Sequence, residues 1–82
     1  MMRIRLLAFA SASDAIGARE RSFELPAGST VRDLRSRLAA EYPGLESLWP
    51  RLAIAVDGEV ARPDTPLRDG CETALLPPVS GG

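Results

Sequence analysis

The chain has 82 residues and a formal net charge of −1, and its charged side chains are spread along the whole sequence. This length predicts a single domain with one small core, and the absence of a basic block argues against a nucleic-acid partner. All ten basic residues are Arg and there is no His, which excludes an imidazole base and a Schiff-base amine in this chain.

Cysteine content and hydropathy narrow the class of protein further. The single cysteine, Cys71, cannot form an internal disulfide, and we expect neither a metal site nor a bound cofactor. No apolar segment approaches the ~20 residues of a membrane span. We therefore expect a cytoplasmic protein without membrane contact.

Two strands are predicted near the start of the chain. Residues 2–9 alternate between two faces, which is the period-two pattern of a strand. Residues 11–18 are mostly small and are predicted to form a loop. A second strand is predicted over residues 19–25, with Phe23 and Leu25 facing the core.

A helix over residues 31–42 is the clearest predicted element. Thr30 is a favourable N-cap, and Asp33 follows three residues later, as in a capping box. The Pro43-Gly44 pair ends the helix. Apolar residues recur along one face at helical spacing, namely Val31, Leu34, Leu38 and Tyr42.

Three further strands are predicted after the helix. The first covers residues 52–56, with Leu52, Ile54 and Val56 on one face, and is followed by an Asp-Gly turn. A short strand at residues 59–61 can pair back on it. The last strand covers residues 72–76.

The order strand, strand, helix, strand, short strand, strand indicates an α+β protein. It is the pattern of a β-grasp, or ubiquitin-like, roll, with a mixed four- to five-stranded sheet packed on one main helix. We expect this domain to cover residues 1–76 and a flexible, extended C-terminal tail to cover residues 77–82.

Conventional catalytic residues are not apparent. Asp57 and Asp69 each precede Gly and are best explained by turns, and Asp33 by the helix cap. Cys71 is interpreted as a packing residue, with a redox or persulfide role as the alternative. Alternating arginines on the first two strands mark either a solvated face or a contact for an acidic patch: Arg3, Arg5, Arg19 and Arg21.

The tail "LLPPVSGG" is the best candidate for a functional segment. Gly81 and Gly82 lack a Cβ, so the backbone and its carboxylate can enter a channel that any side chain would block. Pro77-Pro78 favours an extended direction, and the six residues that follow Leu76 reach at most ~20 Å. Between these pairs lie Val79 and Ser80. The alternative is a frayed end.

The whole chain resembles the MoaD/ThiS family of ubiquitin-like sulfur carriers, and specifically the small subunit of molybdopterin synthase. The most specific match is the ending "LLPPVSGG", supported by "DGCETA", "AVDGEVA" and "PLRDG". The sequence departs from the family pattern at Asp57, where Asn is usual, and at Cys71, where Asp is usual. A third departure is Thr73, where an apolar residue is usual.

The resemblance implies a mechanism in which partners supply the catalysis. An adenylating enzyme of the ubiquitin-activator type would use ATP to activate the Gly82 carboxylate, and a sulfur donor protein would convert it to a thiocarboxylate. The tail would enter the large subunit of molybdopterin synthase and give its sulfur to precursor Z in molybdenum cofactor biosynthesis. The chain would be a co-substrate and not itself an enzyme.

The resemblance also implies a partner-binding patch of Leu7, Val60 and Leu76 on the outer face of the sheet. The alternative is that these are isolated surface apolar residues, which are common. Two other functions remain open at this point. The chain could carry sulfur to thiamine thiazole or another acceptor, or it could be a non-catalytic ubiquitin-like interaction domain.

Overall fold

The computed structural model describes residues 1–77, which form one mixed sheet and two helices. The strands are β1 (Met2–Ala8), β2 (Glu20–Leu25), β3 (Ala53–Val56), β4 (Glu59–Val60) and β5 (Glu72–Leu76). The helices are α1 (Ser11–Ile16) and α2 (Val31–Glu41), with single 3-10 turns at Pro43–Leu45 and Trp49–Arg51. No helix within this range is long and apolar enough to cross a membrane.

The strand order in the sheet is β2-β1-β5-β3-β4. β1 and β5 pair in parallel, and the other neighbouring strands pair antiparallel. The first and last strands of the chain therefore lie side by side, and β5 is held between β1 and β3. This order confirms the predicted α+β arrangement of a mixed sheet and one main helix.

One face of the sheet carries the core. In β1, Ile4 and Leu6 are fully buried, and the arginines that precede them, Arg3 and Arg5, are exposed. The register sets Ile4 opposite Phe23, and both Phe23 and Leu25 are buried, as predicted. Because alternate residues of a strand face opposite sides, the other face of the sheet is left to solvent or to a partner.

Helix α2 covers the core face and is capped at its N-terminus. The Thr30 amide donates a hydrogen bond to Asp33 Oδ2 at 2.8 Å, which confirms the predicted capping box. Val31, Leu34 and Leu38 are buried against the sheet. The helix ends at Glu41, one residue before the predicted end, with Tyr42 half-buried behind it.

The predicted loop at residues 11–18 is wrong, because α1 occupies Ser11–Ile16. Ala12 and Ile16 are four residues apart on one helical face, and both are buried in the core. Gly17 then ends the helix with a φ of 75°, a conformation that favours Gly. Burial of two side chains thus stabilises a helix that is too short to form alone.

Candidate docking face

A row of apolar side chains crosses the outer face of the sheet. Leu7 pairs with Ala74, Ala74 pairs with Ala55, and Ala55 pairs with Val60. Directly paired residues point to the same face, so these four side chains lie side by side across four strands. Val60 is 72% exposed at one end of this row, and Leu7 is half-buried at the other end.

A second row lies next to the first. Leu76 is two residues beyond Ala74 on β5, so it shares the same face, and it pairs with Ala53 of β3. Both side chains are half-buried. We define the outer apolar face by the residues of the two rows: Leu7, Ala53, Ala55, Val60, Ala74 and Leu76.

The structure brings the three predicted patch residues onto this one face. They surround three alanines, Ala53, Ala55 and Ala74, which we call the alanine floor. Ala55 is only 6% exposed because larger side chains surround it. The alanine floor did not follow from the sequence prediction, which considered only Leu52, Ile54 and Val56 of this segment. The alternation of small and large residues from 52 to 56 was the signal that could have revealed it.

Phe9 is a further exposed apolar residue at this end of the sheet. It follows β1, two residues after Leu7, and is 48% exposed. It shares a surface groove with Leu7 and Ser13. The sequence pattern put Phe9 on the same face as Leu7, but no role was predicted for it.

Charged side chains border the outer apolar face. Arg5 lies between two carboxylates, with Glu20 at 2.9 Å and Glu72 at 3.5 Å. Arg3 pairs with Glu24 at 3.5 Å. All of these side chains are about half or more exposed, so each pair contributes little to stability. These contacts agree with the solvated-face interpretation of Arg3 and Arg5.

The root of the tail is firmly held in the sheet. Leu75 is fully buried and lies opposite both Ala8 and Ile54. Leu76 and Pro77 are half-buried, and Pro77 is the last described residue. The other predicted tail residues lie outside the described part of the chain: Pro78, Val79, Ser80, Gly81 and Gly82.

The remaining candidates have structural contacts. Cys71 is 5% exposed within the core, as a packing residue would be. Asp69 Oδ1 accepts a hydrogen bond from the Arg3 amide at 2.7 Å, and Asp57 Oδ1 accepts one from the Glu72 amide at 3.0 Å. Within residues 1–77, no three Cys, Asp or Glu side chains are grouped closely enough to hold a metal ion.

Parallel first and last strands in a five-stranded sheet, with one main helix across the core face, define a ubiquitin-like protein of β-grasp fold. The chain belongs to the ThiS family, whose profile matches residues 6–82.

Two similar proteins carry the same functional name. The molybdopterin synthase sulfur carrier subunit of Chlamydomonas reinhardtii is 37% identical, over 99% of this chain and 100% of the relative. The protein of the same name from Mycobacterium tuberculosis is 32% identical, over 100% of both chains.

Solved structures agree with the fold. The crystal structure of SAMP1 from Haloferax volcanii matches with a TM-score of 0.86 at 30% identity, covering 98% of this chain and 99% of that one. A chain in the complex of subunits 1 and 2 of molybdopterin-converting factor from Helicobacter pylori matches with a TM-score of 0.74 at 29% identity. That match covers 99% of this chain and 100% of the other.

Proposed function

We propose that this chain is the sulfur-carrier small subunit of a molybdopterin synthase. The observation that carries the proposal is the outer apolar face, which lies at the root of a Gly-Gly tail. Full-length relatives named as sulfur carrier subunits support it, and so does the likeness to a chain of a two-subunit complex. The partner is then the large subunit.

In the proposed cycle, the Gly82 carboxylate is the only group of this chain that changes covalently. A ubiquitin-activator-like enzyme joins it to AMP from ATP and releases pyrophosphate. A sulfur donor protein supplies the sulfur that displaces AMP, which leaves a thiocarboxylate. The thiocarboxylate sulfur is a good nucleophile, so it can form a bond to carbon of precursor Z inside the large subunit. Water then cleaves the bond between the Gly82 acyl carbon and sulfur, which leaves the sulfur on the acceptor and returns the Gly82 carboxylate.

The side chains of this chain fit a mechanism in which the partner proteins supply the catalytic groups. This chain has no His and no Lys to act as a general base or amine nucleophile. Catalytic groups and the ATP site therefore belong to the partners. The chain's own contribution is recognition through the outer apolar face and presentation of the carboxylate by Gly81 and Gly82, whose lack of a Cβ suits a narrow channel.

Mass spectrometry of the intact chain tests this cycle. After co-expression with the activating enzyme and sulfur donor, the chain should gain the mass difference between sulfur and oxygen at Gly82. A matched variant with one Ala added after Gly82 should gain nothing. Sulfur incorporation in that variant, or none in the unaltered chain, would contradict the proposal.

A second candidate is a carrier or modifier that serves another acceptor. Likeness to small archaeal modifier protein 1 of Haloferax volcanii, at 32% identity over 90% of this chain, favours this candidate. Affinity purification of the tagged chain from its own cells separates the two. Recovery of the large synthase subunit supports the first function, and recovery of conjugates through Gly82 supports the second.

A further inference from the structure

A groove lies at the β4 edge of the sheet, between the start of α2 and the outer apolar face. Its volume is about 410 Å³. We call it the arginine groove. Its main lining residues are Arg32, Arg35, Trp49, Leu52, Val60 and Pro63.

The two arginines of the groove carry positive charge that their surroundings do not neutralise. Arg32 and Arg35 are three residues apart on α2, so their side chains project on the same side of the helix. Within residues 1–77, neither guanidinium lies within 4.0 Å of a carboxylate. The groove is thus electropositive and open to an acidic ligand.

The indole ring of Trp49 forms one side of the groove and contacts Arg35. The Arg35 guanidinium carbon lies 5.0 Å from the centre of the indole ring, which is a cation–π arrangement. This contact holds Arg35 in place and leaves its N–H groups for an acceptor. The indole Nε1 is itself buried and has no hydrogen-bond partner among the described residues.

The groove is continuous with the outer apolar face. Val60 and Ala53 line the groove and also belong to the two rows of that face. A protein that covers the outer apolar face therefore reaches the groove by passing over the short strand β4. The same protein would meet apolar side chains first and two guanidinium groups at the edge.

We propose that the arginine groove binds an acidic segment of the large subunit. A carboxylate of that segment pairs with Arg32 and Arg35, and an apolar side chain beside it packs on Leu52 and Val60. The inference rests on the proposed function, because that function supplies the partner.

Calorimetric titration of the full chain with the large subunit tests the proposal. The variant R32E/R35E reverses both groove charges, and R21E/R37E makes the same change in net charge in the surface groove between β2 and the other side of α2. We expect R32E/R35E to weaken binding at least ~10-fold at low salt, and R21E/R37E to change it less than ~2-fold. The tenfold difference should shrink as salt is added, because salt screens surface charges.

A second variant guards against loss of fold. R32Q/R35Q removes the charges without adding carboxylates, and it should show a smaller loss and a weaker salt dependence than R32E/R35E. Equal dissociation constants for R32E/R35E and R21E/R37E, with normal thermal unfolding, would overturn the inference but not the proposed function. Failure of the unaltered chain to bind the large subunit would overturn both.

Two other ligands of the arginine groove, a second copy of the chain and the chain's own tail, would each give a different experimental result. Self-association of the chain that R32E/R35E abolishes would assign the groove to a second copy. A change in Trp49 fluorescence on deletion of residues 78–82, in the absence of any partner, would assign it to the chain's own tail. Either result would overturn the proposal.

Discussion

The fully buried Thr73 donates a hydrogen bond from its hydroxyl to the Arg5 carbonyl oxygen at 2.8 Å. This contact joins the two central, parallel strands of the sheet, since Leu6 pairs with Thr73 in the same ladder. It explains how a polar residue can stand at a fully buried position of the sheet. The hydroxyl has a partner, so its burial is not penalised as an unpaired group would be.

Replacing Thr73 with Val should therefore destabilise the chain by about 0.5–1.5 kcal/mol, the net contribution of one hydrogen bond. Val keeps the branched shape and loses only the donor. Thr73→Ser is the matched control, because it keeps the hydroxyl and loses a methyl group. Denaturant unfolding measures both, and a Val variant as stable as the unaltered chain would show that the hydrogen bond contributes nothing.

Asp57 joins the β3–β4 turn to the start of β5. It has a φ of 49°, and its carboxylate accepts hydrogen bonds from the Glu72 amide at 3.0 Å and from Arg68 at 3.3 Å. We expect Asp57→Ala to cost about 1–3 kcal/mol, since it removes the acceptor and places a less suited residue at positive φ.

The matched control for this position is Asp57→Asn, which keeps an oxygen for the Glu72 amide and tolerates positive φ. Its loss should stay within about 0.5 kcal/mol, the range of the exposed Arg68 ion pair. Thermal unfolding in low salt compares the two variants. Equal destabilisation by Ala and Asn would mean that charge, and not the amide contact, stabilises the turn.

Ala10 has a strained backbone between β1 and α1. Its φ is 51° and its ψ is −126°, a region that Gly enters far more readily than Ala. Relief of strain worth about 1–3 kcal/mol should outweigh the entropy that Gly adds to the unfolded chain, which is about 0.4–1 kcal/mol. Ala10→Gly should therefore raise the melting temperature, whereas Ala15→Gly within α1 should lower it. A lower melting temperature for Ala10→Gly would refute the strain assignment.

The sequence predicts the helices and strands in which apolar residues recur at a regular spacing. The strands and α2 follow from alternation, helical spacing and the Thr30–Asp33 cap, which are local signals. Helix α1 does not, because its six residues are mostly small and its stability comes from the burial of Ala12 and Ile16. That burial depends on tertiary packing that no local pattern encodes.

The candidate site likewise has residues that the sequence predicts and residues that it does not. Leu7, Val60 and Leu76 follow from alternation together with family resemblance. The alanine floor and the arginine groove do not, because both depend on contacts between elements that are distant in sequence. Arg35 and Trp49, for example, are fourteen positions apart and meet only because the chain turns back after α2.

The adjacent residues Leu75 and Leu76 should separate folding from binding. Leu75 is fully buried in the core, so Leu75→Ala should cost about 2–5 kcal/mol of folding free energy. Leu76 is half-buried on the outer apolar face, and Leu76→Arg would place a charge in the proposed interface. The Leu76→Arg chain should remain folded but bind the large subunit at least ~30-fold more weakly, because interface cores exclude unpaired charges.

Ser36→Arg is the matched control for Leu76→Arg, since it adds the same side chain at an exposed position of α2, on the opposite side of the sheet. Calorimetric titration gives the dissociation constants, and thermal unfolding shows that each variant folds. If Leu76→Arg and Ser36→Arg bind the large subunit equally well, the outer apolar face is not the interface. Loss of binding by Leu76→Arg alone, with its unfolding transition preserved, would place the large subunit against the residues at the root of the tail.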